Sequence, residues 1–156
     1  ILTVGGIPLL YLGDEIGALN DYSYQDDPSK AHDSRWVHRP RADWKKYALR
    51  HDPQGIEGRV FEGLRRLIEL RKDTEVFSGG ELRILETENL HVLGFERRFA
   101  GQRALVFANF SEQEQTLPPQ VLIQAGGRAL PTRYGQPTIS ETGALTLSPL
   151  GFVVLA

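Results

Sequence analysis

Apolar positions change their spacing three times along this chain. Ile7-Pro8-Leu9-Leu10-Tyr11-Leu12 is a short, almost continuously apolar run between Gly5-Gly6 and Gly13-Asp14-Glu15. A run apolar on both faces predicts a buried strand of a parallel sheet. Parallel strands are joined by βαβ crossovers, and no second run of this kind precedes the next helix. Its partner strands are therefore expected outside this sequence. From about Ile16 to Pro53 the pattern is irregular and rich in Asp, Ser, Pro and Arg. Structureless loops this long are uncommon, and disordered ones carry few aromatics. Tyr22, Tyr24, Trp36, Trp44 and Tyr47 predict an ordered loop, with a helical turn around Ala42 to Arg50.

From about Gln54 to Lys72, most of Ile56, Val60, Phe61, Leu64, Leu67, Ile68 and Leu70 share one helical face. Arg65, Arg66, Arg71 and Lys72 fall toward the C-terminal end, where the helix dipole favours cations. This stripe reads as core packing, and strand, loop and helix together make one βα unit. Beyond Ser78-Gly79-Gly80 the period shortens to two. Residues 81–86, 90–99, 103–110, 144–147 and 150–156 read as strands. Ala100-Gly101-Gln102 is a tight turn making a hairpin of the second and third, and the set suggests an antiparallel sandwich. The expected division is 1–78 and 79–156.

Composition narrows the function classes. The 156 residues include 18 basic and 20 acidic side chains, for a net charge of −2. That leaves no global electrostatic footprint for nucleic acid or anionic lipid. No apolar stretch approaches the roughly 18 residues of a membrane span. Cysteine is absent, which removes disulfides, zinc-thiolate sites and a cysteine nucleophile. Methionine is absent too and the chain opens Ile1-Leu2-Thr3. Together with the unpartnered strand, this reads as a piece of a larger protein.

Three groupings carry possible chemistry. His32, His38, His51 and His91 form no close helical pair of the H-E-x-x-H kind, so loop hydrogen bonding outweighs metal ligation. Arg35, Arg39, Arg41, Lys45, Lys46 and Arg50 interleave with Trp36 and Trp44, a pattern that can hold single-stranded nucleic acid. The first 54 residues, however, carry seven basic against eight acidic side chains, which favours internal ion pairs. Asp14 and Glu15 close the apolar run. Function sits at such strand ends in (β/α)8 barrels, but a carboxylate there can equally hold loop backbone, and position alone leaves both readings open.

The residues from Gly6 to Gly17 resemble the eighth barrel strand of the α-amylase superfamily, glycoside hydrolase family 13, with its G-x-P-x-x-Y-x-G-D/E-E pattern. Leu19-Asn20-Asp21-Tyr22 followed by His32-Asp33-Ser34-Arg35-Trp36-Val37-His38-Arg39-Pro40-Arg41 resembles the amylosucrase and sucrose hydrolase branch. Gly94-Phe95-Glu96-Arg97-Arg98, Ala108-Asn109-Phe110-Ser111 and the segment from Leu147 to Leu155 are similar to the family's C-terminal β-domain.

The resemblance implies an α/β plus all-β fold: the last βα unit of a (β/α)8 TIM barrel, then an antiparallel β-sandwich. It implies a retaining enzyme that transfers glucose from sucrose to α-1,4-glucan through a covalent glucosyl-enzyme. The family's nucleophile, acid/base and stabilising aspartate follow barrel strands four, five and seven, upstream of Ile1, so this chain is expected to hold no catalytic carboxylate and to be inactive alone. Arg35 matches the family arginine at the floor of the glucosyl subsite, where it pairs with an upstream aspartate. His38, Arg39, Arg41 and Trp36 are candidates for supporting the loop or lining subsites. Trp36 and Trp44 are possible sugar platforms, although tryptophans in a long loop are more often packing, and Tyr11, Asp14 and Glu15 are expected to hold the strand end. No metal or cofactor is implied. The expected partners are sucrose, α-glucan and the barrel that precedes this segment, with no nucleic acid or membrane. A homodimer of the parent, and a cytoplasmic or a secreted bacterial location, stay open. The alternatives are a sucrose hydrolase, another family 13 glucosidase or amylase, and a non-catalytic carbohydrate-binding β-domain.

Overall fold

A computed structural model describes residues 1–156, which form two compact units: Leu9–Leu67, and Ile1–Pro8 together with Ile68–Ala156. In the Leu9–Leu67 unit the loop is ordered, as its aromatics predict. Single turns at Asp14–Ile16, Tyr22–Asp26 and Ser34–His38 lead to the short helix α1, Trp44–Ala48. The long helix α2 spans Ile56–Asp73, within two residues of its expected start and one of its end. Val60, Phe61, Leu64, Leu67 and Ile68 on its apolar face are half-buried.

The apolar run Ile7–Leu12 departs from expectation: it forms no strand. Ile7 is 98% exposed and Leu9 81% exposed. A strand is defined by the hydrogen bonds of its neighbours, and none of the strands in this chain lies beside the run. The compact units are divided within α2, and residues 1–8 join the β unit.

Eight antiparallel strands form the β unit. They are β1 (Glu81–Leu85), β2 (Val92–Phe99), β3 (Gln102–Asn109), β4 (Gln115–Leu117), β5 (Thr132–Tyr134), β6 (Thr138–Ile139), β7 (Leu145–Leu147) and β8 (Phe152–Leu155). A helix, α3, spans Pro119–Gln124 between β4 and β5. One sheet has the order β1-β2-β3-β8-β5, the other β4-β7-β6. The β2–β3 hairpin pairs Phe99 with Gln102. Its two turn residues, Ala100 and Gly101, take φ of 50° and 78°, the left-handed pair that matches strand twist.

Period-two patterning gives the larger sheet two buried faces. Leu105, Phe107, Val153 and Leu155 pack with Leu117, Leu145 and Leu147 of the smaller sheet and with Val121 and Leu122 of α3. Phe95, Ala104, Val106 and Val154 face the other way, against Val76, Phe77 and Leu70. Each fully buried large apolar side chain contributes about 1.5–3 kcal/mol, so the central strands β3 and β8 hold the unit together. The short pieces β4, β5, β6 and α3 were not expected. At two to six residues they are too brief for a period to show.

Candidate active-site loop

The Leu9–Leu67 unit is organised by aspartates more than by packing. Asp21 Oδ1 accepts from Ser23 N, Asp27 Oδ1 from Ser29 N, Asp33 Oδ1 from Arg35 N, Asp43 Oδ1 from Lys45 N and Asp52 Oδ1 from Gln54 N, at 2.9–3.0 Å. In each, a short carboxylate reaches the amide two residues on and replaces a backbone turn partner. One cross-link then joins two turns: Asp21 N donates to Val37 O at 2.9 Å. Buried Ile16 and Tyr47 supply the small apolar anchor. Burial, and after it the Glu15 carboxylate, push the Tyr47 phenol up.

At the end of the apolar run both acidic side chains hold backbone. Asp14 Oδ2 accepts from Tyr11 N at 2.9 Å, and Glu15 Oε2 accepts from Gly13 N at 2.7 Å. Their carboxylates thereby organise the turn that follows.

Tyr11, Asp14, Asn20, Arg35, His38 and Arg39 line one open cavity of about 450 Å³. His38 Nδ1 lies 3.1 Å from Asn20 Oδ1, which fixes the imidazole. Arg35 meets Asp33 fork to fork, Nε to Oδ1 and Nη2 to Oδ2 at 2.8 Å each. Hydrogen bonds from the Arg35 side chain and then its backbone hold the Asp33 carboxyl down at about 2, and the same pairing raises the Arg35 pKa. The Arg35 side chain is 75% exposed, so within this chain it is a presented cation rather than a buried one.

The remaining candidates lie elsewhere in the unit. Trp36 has Lys30 Nζ 5.4 Å and Arg39 Cζ 5.9 Å from its ring, cation–π distances that orient the loop. Arg41 lines a neighbouring cavity of about 200 Å³ with Asp43, Lys46 and Tyr47. Exposed Trp44 stands tilted beside Tyr47, ring centres 5.4 Å apart. Asn20 as the partner of His38 was missed at the sequence level, because nothing in residue spacing joins positions 20 and 38. The arrangement offers one forked cation, one imidazole and hydrogen-bonding groups around an open hollow. That suits recognition of a polyhydroxylated or anionic group more than proton transfer.

Residues 82–154 match the family described as Maltogenic Amylase, C-terminal domain. Over its whole length the chain is 29% identical to a trehalose synthase from Thermus thermophilus, of which it covers 18%. It is 22% identical, over 74% of its length, to alpha-amylase 3 of Dictyoglomus thermophilum, of which it covers 25%. The fold is shared with a trehalose-6-phosphate hydrolase from Bacillus licheniformis at a TM-score of 0.68 and 20% identity, over 99% of this chain and 36% of that one. It is shared with a debranching enzyme from Nostoc punctiforme at a TM-score of 0.69 and 18% identity, over 99% of this chain and 29% of the other. The chain thus spans a quarter or less of these curated relatives, 18% and 25%.

Proposed function

Since this chain has the fold of the C-terminal region of glycoside hydrolase family 13 enzymes, the α-amylase family, we propose that it is part of a retaining α-glucosyl enzyme acting on sucrose. Glucose passes to an α-1,4-glucan and fructose leaves. Residues 1–78 complete the catalytic barrel, and 79–156 form the appended β-domain. The nucleophile, acid/base and stabilising aspartate come from parts of the enzyme outside these residues, so these residues alone turn over no sugar.

The observation that carries this reading is the cavity lined by Arg35, His38 and Arg39 beside Tyr11 and Asp14. Arg35 engages Asp33 through Nε and Nη2, which leaves Nη1 for a second acceptor. A planar, permanently charged fork held on one side is ready to meet a barrel carboxylate on the other and to close the end of the glucosyl subsite. A closed end suits attack on one terminal glucosyl unit, as transfer from a disaccharide requires. Exposed Ile7, Leu9 and Leu12 support the reading as well, because barrel neighbours would cover them.

A second reading is favoured by the whole-chain likeness to a trehalose synthase: a glucosyl enzyme whose disaccharide is trehalose. A sugar balance on the complete enzyme separates the two. Given sucrose alone, release of fructose well above glucose, with glucan forming, is the expected result. Equal release means a sucrose hydrolase. Silence on sucrose with turnover of trehalose overturns the sucrose reading in favour of the second.

A further inference from the structure

Two guanidinium groups in the β unit, those of Arg97 and Arg71, bind the main chain of one N-terminal segment instead of acids. Arg97, on β2, is only 3% exposed. Its Nη1 donates to Val4 O and its Nη2 to Gly79 O. Arg71, on the last turn of α2, donates through Nη1 to Leu2 O at 2.6 Å and through Nη2 to Gly6 O at 2.8 Å. Carbonyls 2, 4 and 6 of one short segment are thus held in turn by two cations. The Leu2 side chain is buried. Gly5, at φ 126°, passes so close that a Cβ there would collide with Arg97 Nη1.

This arrangement opposes folding in one respect. Arg97 Nε is buried without a partner, and burial, then the charge of Arg71, lower the Arg97 pKa. A buried cation without an acid is costly, and an apolar side chain of similar length would fill the space without that cost. Stability alone does not account for an arginine here. Its planar fork does, because it reaches two carbonyls 75 positions apart in sequence, which a lysine point charge cannot bridge with fixed geometry.

We infer that Arg97, with Arg71, is a positioning residue: it clamps Leu2–Gly6 to the β-domain and so fixes where the run leading to Tyr11 and Asp14 begins. On the proposed function, loss of the clamp is also read in turnover, because the chain continues from Gly6 into the run that leads to the loop. The kinetic arm of the test rests on the glucosyl function proposed above; the exchange arm does not.

The complete enzyme is compared with Arg97→Met, Arg97→Lys and Arg71→Gln. Two quantities are read: hydrogen exchange of amides 3–12, and kcat and KM on whichever α-glucoside the wild type turns over. Arg97→Met is expected to fold with a Tm near that of wild type, to exchange at least roughly tenfold faster over 3–12, and to lose on the order of ten- to a hundredfold in kcat/KM. Arg97→Lys restores only part of either loss. Unchanged exchange, unchanged kinetics in the folded Met variant, or full rescue by Lys overturns the inference. A lower Tm with unchanged exchange at 3–12 marks a merely structural role and overturns it too. If Arg97 variants do not fold, Arg71→Gln, at a half-buried guanidinium that frees Leu2 O and Gly6 O, decides by the same two readouts. An enzyme inactive on every α-glucoside sinks the glucosyl reading and leaves the exchange result to decide the clamp.

Discussion

Replacing Glu96 by Gln tests whether charge holds one end of the β unit together. Glu96 is 1% exposed and sits among three arginines. Arg103 Nη2 lies 2.8 Å from Oε1, Arg98 Nε 3.0 Å from Oε1 and Arg83 Nη2 3.0 Å from Oε2. Removing one partner of a fully buried pair costs roughly 3–5 kcal/mol. Arg83 and Arg98 are 61% and 60% exposed, so they rehydrate readily, while Arg103 at 32% does so less well. That discount places Glu96→Gln at about 2–3 kcal/mol. Native-state hydrogen exchange of the Leu105–Phe107 amides reads the stability of this unit, and the expected acceleration is roughly 30- to 150-fold. Arg83→Ala, removing an exposed partner, should cost less than about 1 kcal/mol.

The pH dependence carries a sign. Burial pushes the Glu96 carboxyl up, but Arg98, Arg103 and Arg83 outweigh it and the folded pKa ends below 4.5. A carboxylate with a lowered folded pKa stabilises fully above its unfolded pKa and loses that contribution as pH falls through the folded one. The difference between wild type and Glu96→Gln should therefore be full at pH 7 and close on acidification below the unfolded value. A Gln variant no worse than Arg83→Ala, or a gap that widens in acid, refutes the reasoning.

On the proposed function, Arg35→Ala in the complete enzyme should lower sucrose turnover by roughly two orders of magnitude; near-normal turnover removes Arg35 from the site. The Asp33 carboxyl should titrate near 2 by carbon-13 NMR, and Arg35→Ala should move that midpoint toward 3.8; an unmoved midpoint shows that the fork is not formed in solution. These 156 residues alone should self-associate and bind an apolar dye, and Ile7→Ser with Leu9→Ser should reduce both, since these side chains are 98% and 81% exposed. A monomer with slow exchange across residues 7–12 contradicts that expectation.

Elements with a long, regular period were legible in the residues. Helix α2 and strands β2 and β3 each repeat their spacing often enough to fix type and place, and Ala100-Gly101 announces its own turn. The pieces between Gln115 and Ile139 are too short to repeat anything. The Asp-x-x signature of the loop turns was present at positions 21, 27, 33, 43 and 52, where the aspartates were read as charge or as part of a resemblance and not as turn formers. The contacts of Arg97 and Arg71 were out of reach because their acceptors are backbone carbonyls, which no side-chain pattern encodes.

Residues 7–12 and the aspartate turns mark opposite ends of one physical distinction. A strand takes its hydrogen bonds from chain far away in sequence, so Ile7–Leu12 has the composition of a strand yet forms none beside these neighbours. An aspartate turn closes over two or three residues and pays little loop entropy, so Asp33 sets the Arg35 fork from within its own turn. A site built on such turns keeps its local geometry whatever surrounds it. On the proposed function, what surrounds it supplies the cover for the apolar run and the reacting carboxylates. On that same reading, specificity encoded in a self-organised loop, with chemistry supplied from elsewhere, accounts for a cavity in a stretch whose Asp14 and Glu15 carboxylates are both engaged in holding backbone.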